Sequence, residues 1–196
     1  MLKRLFDFFS SLTALIFLLP FFFIVALLIA IEGGFPVFFT QTRIGKNKIP
    51  FQLLKFRTMV KDADKLGKIT IGRRDPRVTN VGHFLRSYKL DELPQLLNIL
   101  KGEMSVVGPR PEVEEYVNLY TEEQNKVFLA KPGLTDYASL KYINESEVLA
   151  KSSNPNKTYI EEIMPAKLQL NLKYIEEQGL LTDLKIIFKT ISKIVS

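Results

Sequence analysis

The hydrophobic pattern of the chain begins with one long apolar run over residues 5–31. A straight α-helix of that length is about 40 Å long, enough to cross the hydrocarbon core of a bilayer, which is about 30 Å thick. The run is too long for a secretory signal peptide, and no small-x-small cleavage site follows it. The pattern therefore predicts a membrane anchor over residues 1–34, ended by Gly33 and Gly34.

Two arrangements of this anchor compete: a single kinked span and a re-entrant helix hairpin. Pro20 lies near the middle and removes one backbone hydrogen bond, so a break or kink is expected there. Basic residues, which favour the cytoplasmic side of a membrane, flank both ends of the run. They are Lys3, Arg4, Arg43, Lys46, Lys48, Lys55 and Arg57. A hairpin with its break at Pro20 keeps both ends on one side and is favoured, and a proline-kinked span is the alternative.

Residues 35–196 carry shorter patterns that predict a small globular domain. The predicted elements are strands over 37–42 and 51–59, a loop over 61–75, helices over 81–90 and 95–100, and an amphipathic helix over 180–195. This last helix suits a membrane interface and the protein's own core equally well. The predicted fold class is α+β, mostly helical: a re-entrant membrane helix hairpin followed by a small cytoplasmic α/β domain with interfacial amphipathic helices.

The composition of the chain excludes several kinds of site and indicates the charge of its partners. The chain has no cysteine, which excludes disulfides, zinc–thiolate sites and cysteine nucleophiles. Its single histidine, His83, cannot build a multi-histidine metal site. The net charge of +6 points to anionic partners, and beside an apolar anchor these are lipids and phosphorylated ligands rather than nucleic acid.

Two basic features are candidates for a phosphate site. Side chains alternate along a strand, so Lys55 and Arg57 are predicted to share one face and could clamp a pyrophosphate. Arg110 lies in the Gly-Pro-Arg-Pro segment 108–111, whose prolines pre-position the guanidinium for a bidentate phosphate contact. A solvated basic face and a simple turn would account for the same two patterns.

One acidic feature stands beside them. Asp91 and Glu92 fall in a short link, predicted to be non-helical, just before a helix that Pro94 begins and Gly102 ends. In such a link both carboxylates could face one site. Helix capping alone would also explain acidic residues at this position.

Several motifs in the chain are too specific for chance. They are TRIG at 42–45, KFRTM at 55–59, DPRVTNVGHFLRSYKLDELPQL at 75–96, LKGEMSVVGPRPE at 100–112 and KPGLT at 131–135. Together with the apolar N-terminus they closely resemble the bacterial sugar transferase family, the monotopic phosphoglycosyl transferases. The resemblance covers essentially the whole chain.

This resemblance implies an activity and a location. Such enzymes use Mg²⁺ to convert a UDP-sugar and a polyprenol phosphate, usually undecaprenyl phosphate, into polyprenol-diphosphate-sugar and UMP. They sit on the cytoplasmic face of the bacterial inner membrane through a re-entrant helix, and their products feed glycan assembly. The implied partners are thus UDP-sugar, polyprenol phosphate and the membrane, with no nucleic acid. The oligomeric state is left open, with a homodimer as one alternative.

The resemblance also assigns residues, because the family's acidic pair falls on Asp91 and Glu92. The implied mechanism is ping-pong: Asp91 attacks the sugar-bearing phosphate, UMP leaves, and the lipid phosphate attacks the resulting acyl-phosphate. Glu92 supports Mg²⁺ or orients Asp91, so both carboxylates are candidate metal ligands. The cations expected around the phosphates are Lys55, Arg57, Arg86 and Arg110, with Arg43 a weaker candidate nearer the membrane.

Two departures from the family pattern limit what is carried over. Many members have Ser-Pro at the helix break, where this chain has Leu19-Pro20. Many members continue after Pro-Gly-x-Thr with Gly-Leu-Ala-Gln-Val-Asn-Gly-Arg, where this chain has Asp-Tyr-Ala-Ser-Leu-Lys-Tyr-Ile from Asp136. If the second stretch contacts the sugar or uridine, the donor differs from that of better-known members, so no sugar is predicted.

Two other hypotheses are kept. A membrane-anchored scaffold with basic patches would bind polyanions in a salt-sensitive way without Mg²⁺. It has no platform of interleaved aromatic and basic residues for RNA. Direct attack by the lipid phosphate in one ternary complex would keep the activity but would not give ping-pong kinetics.

Overall fold

The computed structural model describes residues 2–61, 63 and 75–195. Its helices and strands are α1 (Leu2–Gly33), β1 (Phe38–Ile44), β2 (Pro50–Phe56), α2 (Asn80–Ser87), α3 (Gln95–Lys101), β3 (Ser105–Val107), α4 (Glu114–Val117), β4 (Gly133–Thr135), α5 (Tyr137–Lys141), α6 (Glu145–Ala150), α7 (Pro155–Thr158), α8 (Met164–Glu177) and α9 (Leu180–Val195). Shorter turns are 3₁₀ at Lys46–Lys48, Leu90–Glu92 and Gln124–Leu129, and π-helical at Tyr159–Ile163. The prediction of a mostly helical α+β chain is confirmed.

The apolar N-terminal run forms one helix, α1, of 32 residues. It is about 48 Å long at 1.5 Å per residue. Within the part of the chain that the structure describes, it is the one helix long and apolar enough to cross a membrane. Pro20 lies inside it, so the two predicted halves belong to one helix.

One side of α1 packs on the globular domain along the whole helix. Its buried and partly buried residues recur at spacings of three and four, which places them in one stripe. They are Asp7, Ser11, Ala14, Leu15, Leu18, Phe21, Phe22, Val25 and Ile29. The first half of the stripe packs on Leu96 and Ile99 of α3, and the second half on Phe56 and Leu85. The opposite side stays apolar and exposed, with Phe17 at 79% and Phe23 at 73%, as expected of a lipid-facing surface.

Polar contacts fasten both ends of α1 to the same domain. Near its start, the Arg4 guanidinium donates to the carbonyls of Ile99 and Leu100, at 2.6 and 2.7 Å. Near its end, the Glu32 carboxylate accepts the backbone N–H groups of Asn80 and Val81, at 2.7 and 3.0 Å. Glu32 thereby satisfies free donors at the start of α2.

The strands pair as two short sheets. β1 and β2 form an antiparallel hairpin in which Phe38 lies opposite Phe56. Both strands predicted there are confirmed in place, but β2 ends at Phe56, three residues earlier than predicted. β3 and β4 pair in parallel, and next to them the backbones of Gly108 and Gly133 almost touch. A Cβ on Gly133 would lie 2.1 Å from the Gly108 nitrogen, so only glycine fits.

The predicted helices around the acidic pair are also confirmed. α2 begins after Thr79, whose side chain accepts the N–H of Gly82, and α3 ends at Gly102 with φ of 87°. The link between them is not the non-helical one that we predicted. Lys89 takes a left-handed conformation, with φ of 56°, which ends α2, and the chain then forms the 3₁₀ turn Leu90–Glu92. The loop predicted over 61–75 lies mostly outside the described residues.

Helix α9 packs on the protein's own core, as one of the two interpretations of the C-terminal segment predicts, and its place at a membrane interface stays a prediction. Its inner side is fully buried at Asp183 and Ile186 and packs near Tyr174 of α8. Its outer side keeps Leu181 and Phe188 exposed, at 76% and 69%. The helix therefore packs on the core and still presents an apolar surface.

Candidate active site

The 3₁₀ turn before α3 presents the two carboxylates. Asp91 and Glu92 are 7% and 8% exposed. Successive residues of a 3₁₀ helix are about 120° apart, so the two side chains leave the turn in different directions. Both remain close to Lys55, but only Glu92 is hydrogen-bonded to it.

Glu92 is held by two cations. Its Oε1 lies 2.8 Å from Lys55 Nζ on β2, and its two oxygens accept hydrogen bonds from both terminal nitrogens of Arg110, with Nη1 3.1 Å from Oε2. Burial alone would raise the pKa of Glu92, but the charges and hydrogen bonds of Arg110 and Lys55 outweigh burial and hold that pKa well below its ordinary value. Glu92 is therefore a fixed anion.

Asp91 has a different environment. No hydrogen bond or ion pair joins its carboxylate to another of the described residues. Burial raises the pKa of Asp91, and the charge of Glu92 adds to the rise, while Lys55, Arg86 and Lys89 oppose it. Its oxygens are thus free to act on a ligand, within reach of three positive charges.

Three of the predicted cations approach this pair, each from a different part of the fold. Arg110 follows β3 in the extended Gly-Pro-Arg-Pro segment, and Lys55 stands near the end of β2. Arg86, in the last turn of α2, donates from Nε to Thr58 Oγ1 at 2.8 Å, and its charge acts on Asp91. The structure brings all three to the acidic turn.

Arg57 follows directly after β2, and its guanidinium has a different partner from the ammonium group of Lys55. The strand ends at Phe56, and Arg57 turns inward, where it is 8% exposed and donates to the carbonyl of Gly34. Its backbone N–H donates to the Val37 carbonyl at 2.8 Å, which continues the β1–β2 pairing by one more residue. Arg57 thus ties the end of the anchor to the domain, and its predicted phosphate contact stays a prediction.

Arg43 forms an ion pair with Glu112, two residues after Arg110, and its predicted phosphate contact stays a prediction. Its Nη1 lies 2.7 Å from Glu112 Oε1 and 3.3 Å from the Pro111 carbonyl. Tyr159 donates its hydroxyl proton to the other oxygen of Glu112. These side chains hold the segment that immediately follows Arg110.

Replacing Tyr159 by Phe tests this support. The change leaves a partly buried carboxylate oxygen of Glu112 without its donor, so we expect a loss of about 1–2 kcal/mol in the free energy of unfolding. Denaturation of the purified protein in detergent measures it. Tyr137→Phe is the matched control, because its hydroxyl donates to Glu177 on the exposed surface, at 2.9 Å. Equal costs for both variants would contradict a supporting role for Tyr159.

The pH dependence of the reaction tests the assignment of Asp91. A nucleophilic carboxylate must be ionised, and the pKa of Asp91 is raised. Activity should therefore fall with decreasing pH well before an ordinary aspartate, with a pKa of about 3.9, would protonate. The rate of the first turnover, measured as a function of pH, gives the acidic side of the pH–rate profile. Activity recovered on return to neutral pH shows that the protein has not unfolded. A rate that is flat down to about pH 4 would contradict the assignment.

The carboxylate oxygens at this site suit a metal ion that the substrate helps to bind. No cluster of three or more metal-ligating side chains occurs among residues 2–61, 63 and 75–195. Mg²⁺ commonly takes one or two carboxylates from the protein and completes its shell with water and substrate phosphates. The free oxygens of Asp91, with Glu92 beside them, fit that requirement.

Sequence reasoning missed three residues at this site. Lys89 directly precedes the motif Leu-Asp-Glu, a position that could have marked it, and Glu112 ends the motif Gly-Pro-Arg-Pro-Glu. Asp136 gave no signal beyond its departure from the family pattern. It is fully buried, its Oδ1 accepts the Ser139 N–H at 2.6 Å, and after Glu92 its charge helps to raise the pKa of Arg110.

Comparison with known proteins bears on this site. A family model described as "Bacterial sugar transferase" matches residues 1–196. Uncharacterized sugar transferase EpsL of Bacillus subtilis is 38% identical, over 98% of this chain and 87% of that protein. Exopolysaccharide production protein PSS of Rhizobium leguminosarum bv. phaseoli is 39% identical, over 97% and 93%. UDP-glucose:undecaprenyl-phosphate glucose-1-phosphate transferase of Caulobacter vibrioides is 34% identical, over 99% and 70%.

Proposed function

The chain belongs to the bacterial sugar transferase family, and from this premise we propose that it transfers a sugar-1-phosphate from a UDP-sugar to a polyprenol phosphate such as undecaprenyl phosphate. The products are polyprenol-diphosphate-sugar and UMP, and the reaction is the first membrane step of glycan assembly. The name of the Caulobacter relative supports this reaction. The observation that carries it within this chain is the free carboxylate of Asp91 beside the fixed carboxylate of Glu92.

In the first step, an oxygen of ionised Asp91 attacks the phosphorus that carries the sugar. The bond from that phosphorus to the bridging oxygen breaks, and UMP leaves with the electron pair. In the second step, an oxygen of the lipid phosphate attacks the same phosphorus, and the Asp91 oxygen leaves as a carboxylate. A carboxylate is suited to this role because aspartyl-phosphates are established covalent intermediates.

The surrounding charges make the attack feasible. A diphosphate and a carboxylate repel each other unless cations stand between them, and Lys55, Arg86 and Lys89 act on Asp91 from the protein. Arg110 and Lys55 are kept in place by Glu92, so they need no reordering when the donor binds. Mg²⁺, held by Asp91 and Glu92 together with the donor phosphates, would neutralise the remaining negative charge.

The contacts of α1 support a monotopic arrangement at the cytoplasmic face of the bacterial inner membrane. Arg4 and Glu32 fasten opposite ends of the helix to one domain, and the stripe between them also packs on it. A straight span would carry one of these ends, with its polar partners, across the bilayer core, where charged groups are costly. A re-entrant anchor keeps both ends on one side.

Cysteine labelling tests this topology, because the chain has no cysteine of its own. Leu2→Cys and Asn47→Cys place single thiols at exposed positions on either side of the apolar run. We expect a membrane-impermeant maleimide to label both variants only after the cells are permeabilised. Labelling of position 2 in intact spheroplasts would contradict the re-entrant arrangement.

The activity itself is tested with purified protein, Mg²⁺, undecaprenyl phosphate and a panel of UDP-sugars, with UMP release as the readout. We expect UMP with at least one donor and a labelled lipid product in equal amount. Folded protein that releases no UMP with any donor, and instead binds polyanions in a salt-sensitive way, would favour the scaffold hypothesis.

A further inference from the structure

The first turn of α1 is tied to the strand that leads into Arg110. Lys3 Nζ donates to the carbonyl of Val107 at 3.1 Å and lies 2.5 Å from Asp183 Oδ2. Val107 is fully buried and is the last residue of β3. The ammonium group of Lys3 is therefore bound to the backbone three residues before Arg110.

A second side chain closes this contact into a network. The hydroxyl oxygen of Tyr174 lies 2.7 Å from Asp183 Oδ1 and 3.1 Å from the same Val107 carbonyl, so its proton is shared between them. Asp183 and Tyr174 are 0% and 1% exposed. The network, which we call the anchor latch, consists of Lys3, Val107, Tyr174 and Asp183 and joins α1, β3, α8 and α9.

The beginning of the same strand is also held by α1. One turn after Lys3, the buried Asp7 carboxylate accepts the hydroxyl of Ser105 and the N–H of Val106, each at 3.0 Å. Both ends of β3 are thus bonded to polar side chains of the anchor. Apolar contacts alone would be enough to hold a helix against the domain. Buried charged groups are costly unless they are paired, so the polar contacts at both ends of β3 indicate a role beyond attachment.

The position of β3 in turn decides where Arg110 stands. The Gly108 N–H donates to the Thr135 carbonyl at 3.1 Å, and the Pro109 carbonyl accepts the Gly133 N–H at 2.9 Å. With no room for a side chain at Gly108 or Gly133, these segments cannot shift independently. A displacement of Val107 would therefore be passed along stiff backbone to Arg110.

We propose that Lys3 and Asp183 are positioning residues, through which the seated membrane anchor holds β3 so that Arg110 meets Glu92 and the donor phosphates. The inference rests on the proposed function, since the role of Arg110 in phosphate binding is part of it. It goes beyond that function because contacts of the membrane anchor then set the position of an active-site residue. Activity then depends on the first turn of α1 lying on the domain.

A double-mutant cycle tests the coupling in the full-length protein. Lys3→Met should lower kcat/KM for UMP release about tenfold in the native background, but less than about twofold when Arg110 is already changed to Lys, because interacting sites are not additive. Lys3→Arg should recover most of the activity. Arg4→Met is the matched control, since Arg4 also ties the first turn of α1 to backbone carbonyls, but to those of α3. Its effect should be the same in both backgrounds.

Hydrogen–deuterium exchange gives a readout that does not need activity. In Lys3→Met, peptides covering residues 105–112 should exchange several-fold faster than in the native protein. Exchange in peptides covering residues 95–101 should not change. Asp183→Asn replaces Lys3→Met in this experiment if Lys3→Met folds poorly. Unchanged exchange at 105–112, or equal costs of Lys3→Met in both backgrounds, would overturn the proposal. If no donor releases UMP, the proposed function fails, and the exchange result alone decides whether the latch holds β3.

Discussion

Replacing Asp91 with Asn is expected to lower UMP release about a thousandfold or more, because the variant keeps the size of the side chain but loses the attacking oxygen. The same variant should lose no stability. Burial raises the pKa of Asp91, which means that its charged form is disfavoured in the folded protein. A neutral amide should therefore melt at the same temperature or higher, so loss of activity cannot be ascribed to unfolding.

Glu92→Gln is the matched variant of the neighbouring residue. Unlike Asp91→Asn, it should lose stability and keep more of the UMP release. It leaves Lys55 and Arg110 without their shared anion, which we expect to cost about 1–3 kcal/mol in stability, given that both cations are partly exposed. Asp91 can still attack, so UMP release should fall less than in Asp91→Asn. Nearly native activity in Asp91→Asn, or equal losses in both variants, would contradict the separate roles of the two carboxylates.

Replacing Arg110 with Lys is expected to lower kcat/KM about a hundredfold. The variant keeps the charge, but an ammonium group cannot hold both oxygens of Glu92 as the guanidinium does. A hundredfold change corresponds to about 2.7 kcal/mol of transition-state stabilisation, the size of one well-placed donor. Initial rates at varied UDP-sugar concentration measure it.

Arg4→Lys is the control for this change, because it makes the same replacement in a guanidinium that bonds only to carbonyls of α3. We expect its kcat/KM to stay within about twofold of the native value. An Arg110→Lys variant that retained full activity would show that the bidentate pair with Glu92 is not needed for donor binding.

The sequence predicts most of the local structure for physical reasons that are visible along the chain. The anchor follows from a long, mostly apolar run, the β1–β2 hairpin from alternation, and the end of α3 from Gly102, whose positive φ suits glycine. The importance of Asp91 and Glu92 came from resemblance to a family, since helix capping explained their position equally well. The local sequence pattern is thus enough to predict most helices and strands, but it does not reveal the functional role of individual residues.

What the sequence could not predict depends on contacts between distant residues. Glu92 is fixed by Lys55 and Arg110, 37 and 18 positions away, and this pairing separates its chemistry from that of Asp91. The Arg57 guanidinium donates to the carbonyl of Gly34, 23 positions earlier in the chain. Alternation along a strand carries no information about such partners.

The C-terminal helix shows a further limit. Its amphipathic pattern fits a membrane interface and the protein's own core equally well, and in the structure Asp183 is fully buried while Phe188 on the same helix is exposed. The cation that pairs with Asp183 is Lys3, 180 positions earlier in the chain. No periodicity within the helix could have identified that pair.

The central claim, that the sugar phosphate passes through Asp91, is tested most directly by intact-protein mass spectrometry after mixing enzyme, Mg²⁺ and a UDP-sugar without any acceptor lipid. We predict UMP equal in amount to the enzyme and a mass increase equal to one phospho-sugar, located on Asp91, absent from Asp91→Asn and removed by undecaprenyl phosphate. UMP that appears only when the acceptor is present, with no adduct at any time, would contradict the account and favour direct attack by the lipid phosphate.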